Sequence, residues 1–203
     1  MPKVKHTKNE LKMQKDALRR FSRYLPTLKL KKQQLQLEII RVQRLIDELS
    51  GLIKDLERRV FAWVDVFAED VDVGKLLSLK DIKTEIVNIA GIDMPHFAGA
   101  EFIEQTYDFL LTPLWVDAGI KACKEFIELR AKQQVLRKQH EILREELRIT
   151  VQRVNLFEKV KIPQAQENIR VINIYLGDLR TAEVVRGKIA KAKIENKREA
   201  LAV

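Results

Sequence analysis

The sequence predicts a mainly α protein: a long antiparallel two-helix coiled coil carrying a small central β-hairpin region. Three observations predict it. Leu11, Leu18, Phe21, Leu25, Leu28, Leu35, Ile39, Val42, Ile46, Leu49, Ile53, Leu56, Val60, Trp63 and Phe67 fall on one 3-4-3-4 seam, in which only Gln14 and Lys32 are polar. A second seam occupies the other half of the chain. Between them, a β-branched stretch alternates and then reverses at Ala90-Gly91. A seam repeating every 3.5 residues marks a helix that supercoils against a partner. The first seam alone implies a rod of roughly 85 Å at 1.5 Å per residue.

Residues 1–67 form the first long helix in this reading. Thr7, with Glu10 three residues on, is an N-cap followed by a capping-box acid. Pro26 removes a backbone donor, yet Phe21, Leu25, Leu28 and Leu35 keep phase across it. That predicts a kink within one helix.

Residues 68–116 change character. Asp70-Val-Asp-Val-Gly74 reads as a turn and residues 76–79 as a short helical turn. Residues 82–97 read as a β-hairpin projecting from the rod, with Pro95 confining its return strand to an edge. Residues 101–112 fit strand and helix equally, and Pro113 ends them.

Residues 117–203 form the second long helix. Its seam runs Ala122, Phe126, Leu129, Gln133, Leu136, His140, Leu143, Leu147, Thr150, Val154 and Phe157, with three polar members that can set register at some cost in stability. Pro163 marks another kink. Ile169, Ile172, Leu176 and Leu179 then resume the spacing, and the tail after Gly187 frays.

Composition supports long helices over a compact sheet: of 203 residues, 33% are charged and only 7 are Gly and 5 Pro. Cys123 is the single cysteine, which excludes a disulfide framework and a sulfur-based zinc site and suits apolar packing. No apolar run reaches the roughly 18 residues of a spanning helix. Met1-Pro-Lys-Val-Lys-His6 lacks the apolar core of a signal peptide, so a cytoplasmic protein is expected.

Charge is concentrated at the ends. The net charge of +9 is carried by residues 1–35, while residues 36–203 are neutral in sum but end in a local excess of +4 over residues 186–203. Antiparallel pairing brings Arg19, Arg20 and Arg23 toward the same end as Arg186 and Lys188, a tip suited to an acidic protein surface or a polyanion.

No catalytic, cofactor or metal residues are predicted. His6, His96 and His140 fall in a basic tail, a loop and a coil seam, without carboxylates at metal-ligand spacing. Arg186-Gly-Lys188 is not a phosphate-binding loop, because Ile189 stands where Ser or Thr is needed and Ala182 where the first glycine is needed. Asp70-Val-Asp-Val-Gly74 lacks the third acid and the later Glu of a calcium loop.

Thr7-Lys-Asn-Glu10-Leu11, running on to Leu28-Lys-Leu-Lys-Lys-Gln-Gln-Leu35, resembles the opening pattern of the D subunit of the V/A-type rotary ATPases (V-type ATP synthases). Arg153-Val-Asn-Leu-Phe-Glu158, then Ile162-Pro163, Ile169 and Ile172, is similar to a more specific pattern of that family. Asn88-Ile-Ala-Gly91 before Pro95 looks like its central hairpin turn. Tyr24 and Pro26 depart from the common pattern, as does the stretch after Leu176. The resemblance implies the central rotor shaft, a non-catalytic component that binds no cofactor and transmits torque between a catalytic ring and a membrane rotor that moves protons or sodium. Implied partners are the catalytic and regulatory ring subunits, the small F subunit of the central stalk and the membrane-rotor coupling subunit. Membrane association comes only through the complex, and no nucleic acid is involved. Arg19, Arg20, Arg23, Arg186 and Lys188 are then expected to contact the ring, and Ile89, Ala90 and Gly91 a partner at the hairpin. The rival readings are a basic coiled coil that binds nucleic acid and a scaffold without a moving part.

Overall fold

A computed structural model describes residues 4–63, 65, 71, 73–108 and 112–201. Helix α1 (Lys8–Phe61) contains Pro26 without breaking. Thr7 caps it: its Oγ1 accepts the Glu10 N–H at 3.2 Å, satisfying one of the free donors of the first turn. Glu10 does not complete a capping box. Its carboxylate accepts the Gln14 side-chain amide at 2.8 Å instead, which gives a polar seam residue a partner. A four-residue helical turn, α2 (Val73–Leu76), precedes strand β1 (Leu77–Ile89). The helical turn expected at 76–79 thus lies three residues earlier, because Leu77 already pairs with Glu104. Strand β2 (Ile92–Glu104) returns antiparallel, then come α3 (Trp115–Asn155), a π-helical turn (Leu156–Lys161) and α4 (Ile162–Leu201). Phe67, positions 70 and 72 of the turn read at 70–74, and residues 109–111 lie outside the described residues.

The chain divides into two compact units, residues 31–150 and residues 1–30 with 151–203. In the first unit α1 and α3 run antiparallel. Lys31 meets Glu146 at 2.9 Å, the Gln133 amide donates to Ser50 Oγ at 2.8 Å, and Arg130 meets Glu57 at 3.0 Å. As numbers rise on one helix they fall on the other. Leu35, Val42, Ile46 and Leu49 share one core with Leu136 and Leu143, as the two seams require.

The hairpin differs from expectation in length and position. It spans residues 77–104, with extra residues Lys80 on β1 and Ala98 on β2 where the register shifts. Such bulges bend and twist a ribbon. It does not project. Met94 is 1% exposed inside the α1/α3 core, and Ile89, Ala90 and Ile92 pack against that core. The Gln139 amide donates to the Pro95 carbonyl at 2.6 Å, and Lys124 meets Glu104 at 2.6 Å. Burying Ile89, Ile92 and Met94 outweighs leaving them in water, at roughly 1.5–3 kcal/mol per large apolar side chain. A second core at the hairpin's open end gathers Leu77, Val116 and Ile120, with Phe102 and Cys123 against it. Burial there pushes the Cys123 thiol pKa up.

The reversal falls at Ala90-Gly91, where the sequence places it. Both residues have positive φ, 54° and 76°, as the two-residue turns that match strand twist require. Gly91 carries this without strain. Asn88 supports the turn by accepting the Gly91 N–H at 3.2 Å and donating to Asp93 at 2.7 Å.

In the second unit, α1 is again antiparallel to the returning helix. The Phe21 and Phe157 rings lie 5.2 Å apart, Asn168 donates to Gln14 at 3.3 Å, and His6 lies 4.9 Å from Tyr175. Ile172 and Leu176 are buried, but Leu179 is 41% exposed. The seam therefore ends one turn earlier than its spacing suggested. Tyr175 already faces His6, so α4 beyond it has passed the start of α1.

Thr150 is 1% exposed, and its hydroxyl has no hydrogen-bond partner among the described residues. Thr150→Val removes that orphan at nearly constant shape. It should raise stability by about 1 kcal/mol, read as a higher urea midpoint at unchanged slope. A lower midpoint would show that the hydroxyl is satisfied in solution.

Candidate functional site: the basic end and the docked hairpin

Arg19, Arg20 and Arg23 project from α1 on the side away from Leu18, Phe21 and Leu25, and all three are exposed. Helical geometry puts them there: they occupy the positions left over by the 3-4 seam. Among the described residues no ion pair holds any of them. Arg186 and Lys188 are likewise exposed on α4. They belong to the same unit but not to the same cluster. Phe157 marks the level of Phe21, and Arg186 lies 29 residues further along the helix path, about 40 Å at 1.5 Å per residue. The basic end is a long distributed surface: arginines at one level, then Arg180, Arg186, Lys188, Lys191 and Lys193 along the unpaired stretch of α4.

At the hairpin, only Gly91 among the three expected contact residues is exposed. Ile89 and Ala90 turn inward onto the core. The exposed apolar residues there are others: Ile86 at 80%, with Leu79, Val87 and Ile103 less so. Ile86 belonged to the alternation seen in the sequence, and the face it takes follows once Met94 is known to be buried. On α1, Leu37 and Ile40 also stand exposed beside Gln33 and Gln36, off the seam. Their i, i+3 spacing on the opposite face was the available signal.

Among the described residues, the titration shifts come from surface pairs and from burial. The Lys83 ammonium is pushed up by its hydrogen bond to Glu101, whose carboxyl is held low first by Lys83 and then by Lys80. Glu145 and Glu167 are held low by Arg148 and Arg170, one turn on. The Tyr107 phenol is raised by its hydrogen bond to Asp117. These are local braces on solvent-facing elements. His6 packs at a tilt against Tyr175 and His96 is exposed on β2. His140 lines a polar groove with Asp47, Arg137, Glu141 and Arg144. Among the described residues no three His, Cys, Asp or Glu side chains group to hold a metal, and no helix is long and apolar enough to cross a membrane.

The described residues thus present paired helices with a buried seam, a charged exterior and a hairpin laid on α1 and α3. Residues 10–192 match the family model of the ATP synthase D subunit. The V-type ATP synthase D subunit of Borreliella burgdorferi is 46% identical over 202 residues, covering 97% of this chain and 98% of that protein. The corresponding protein of Chlamydia pneumoniae is 35% identical over 95% of this chain and 93% of its own length, and that of Chlamydia abortus 33% over 97% and 96%. This chain belongs to the ATP synthase D subunit family.

Proposed function

We propose that this chain is the central rotor shaft of a V/A-type ATP synthase, a non-catalytic cytoplasmic component carrying torque between the catalytic ring and the membrane ion-translocating rotor. The observation that carries the reading is the division of labour across α1. Its seam is spent on the returning helix, while Arg19, Arg20 and Arg23 face outward with no ion pair among the described residues. A shaft needs that arrangement: burial holds the helices together, and exterior groups make many weak contacts that exchange as the shaft turns. Unequal contact with the catalytic pockets biases each toward a different nucleotide state, and coupling is the difference in contact free energy between those states. The partners are the ring subunits at the basic end, with the small F subunit and the membrane-rotor coupling subunit toward the hairpin. The membrane is reached only through the complex.

An affinity tag on this chain should recover an ATP-hydrolysing assembly that contains the ring subunits. Recovery of nucleic acid alone, released steeply by salt, would establish the rival reading. Within the assembly, Arg19→Ala should leave ATP turnover nearly unchanged, because single exposed charges contribute little. Replacing Arg19, Arg20 and Arg23 together should weaken insertion or coupling, most clearly at low salt, where their contacts are least screened. Intact assembly and coupling of the triple variant at every salt concentration would reduce this surface to a solvated face.

A further inference from the structure

One proline of the coil and a helical irregularity meet at a single level. Pro26 sits in α1 between Phe21, whose ring packs tilted against that of Phe157, and Lys29, which pairs with Glu158 at 2.8 Å. Phe157 and Glu158 open the π-helical turn Leu156–Lys161, which runs directly into Ile162-Pro163. Each irregularity has its own cause. Pro26 donates no N–H to the Ser22 carbonyl and crowds that turn. Pro163 cannot donate to the Lys159 carbonyl, and the turn before it widens so that the Ile162 N–H reaches back five residues to the Phe157 carbonyl. Single π turns inside α-helices are rare and held by poorer hydrogen bonds.

The π turn also resets the seam. The 3-4 spacing of Val154 and Phe157 leads next to Lys161, Gln164, Asn168, Val171 and Tyr175, of which Lys161, Val171 and Tyr175 are exposed. The buried residues come one position later: Ala165 at 3%, Ile172 at 0% and Leu176 at 8%, with Ile162 and Ile169 half-buried. One inserted residue shifts the phase by one, which is what a π turn accommodates. Removing one residue there would leave Val154, Phe157, Ile162, Ala165, Ile169, Ile172 and Leu176 on an uninterrupted 3-4 seam.

We propose that Pro26 and the π turn form one compliant joint in the coil. Both helices lack a regular hydrogen bond at the same height, so the backbone opens and changes twist there while the seams above and below stay paired. The joint is a property of the chain itself and stands independently of the rotor-shaft reading.

Hydrogen exchange of the full-length chain tests it, with Pro26→Ala, a deletion of Val160, their combination, and a control deletion of Arg144. Val160 is half-exposed and outside the seam. In the unaltered chain, amides of residues 22–30 and 157–164 should exchange about tenfold faster or more than those two turns to either side. In the combined variant that excess should vanish. Deleting Val160 should leave the melting temperature within about 5 °C of the parent or raise it, because the seam heals. Deleting Arg144 throws Leu147, Thr150, Val154 and Phe157 out of phase and should lower it steeply. Uniform protection along the parent coil, or a Val160 deletion as damaging as the Arg144 deletion, would overturn the proposal.

Discussion

Leu143→Ala should lower the unfolding free energy by about 3–5 kcal/mol, near the top of the range for a buried leucine. Leu143 is 0% exposed, in a core shared by α1, α3 and the hairpin through Leu35, Val42, Ile46, Leu49, Leu136 and Met94. Three elements meet on it, so no one of them can slide to fill the space without leaving the others. Its neighbours are also held by polar anchors on either side, Lys31–Glu146 and Gln133–Ser50. The void therefore stays largely open, and the cavity adds to the lost transfer energy. Urea unfolding followed by far-UV circular dichroism measures the change. A Leu45→Ala control, on an exposed position of the same helix pair, should cost less than about 1 kcal/mol. A Leu143→Ala cost no greater than the control's would mean that the helices do not pair in this register.

The pairing of helix with helix was legible because a period of 3.5 residues over fifteen apolar positions has one structural solution, a helix facing a helix. The hairpin turn was legible for a different reason. Ala90-Gly91 offers positive φ between two β-branched runs, and few other sites in this chain could reverse it. What the hairpin does afterwards was not legible. Ile92 and Met94 alternate onto one strand face, but that spacing does not show which surface the face meets, and docking is decided between segments about 50 residues apart. The joint left a trace that a local reading took for a kink: the seam resumes after Pro163 displaced by one residue, but only burial shows that the displacement occurs within the turn before the proline. The basic residues divide the same way. Their exposure follows from the seam, whereas the levels of Arg19 and Arg186 depend on where α1 begins relative to α4. That offset is fixed by pairs such as Gln14–Asn168, which spacing along either helix alone does not specify.

Met94→Asp should detach the hairpin from the coil while leaving the coil folded. Met94 is 1% exposed and sits among aliphatic side chains of both helices. An ionised carboxylate there would lose the buried thioether's contribution of roughly 1.5–3 kcal/mol and add several kcal/mol of desolvation without a cation to offset it. Besides Met94, the tip is held by the half-buried Ile89, Ala90 and Ile92 and by the Gln139–Pro95 hydrogen bond. Those contacts are too few to retain a buried charge, so the tip undocks. The seam residues of α1 and α3 remain in contact with one another, and most helicity survives. Limited trypsin digestion reads the difference, since Lys80 and Lys83 lie on β1: cleavage there should accelerate at least tenfold, while far-UV circular dichroism falls little. Ile86→Asp is the control, because Ile86 is 80% exposed on the same hairpin. It should leave cleavage unchanged. Equal cleavage rates for the two variants would show that the hairpin tip is not held by the coil, and its core would then have to be assigned to the helices alone.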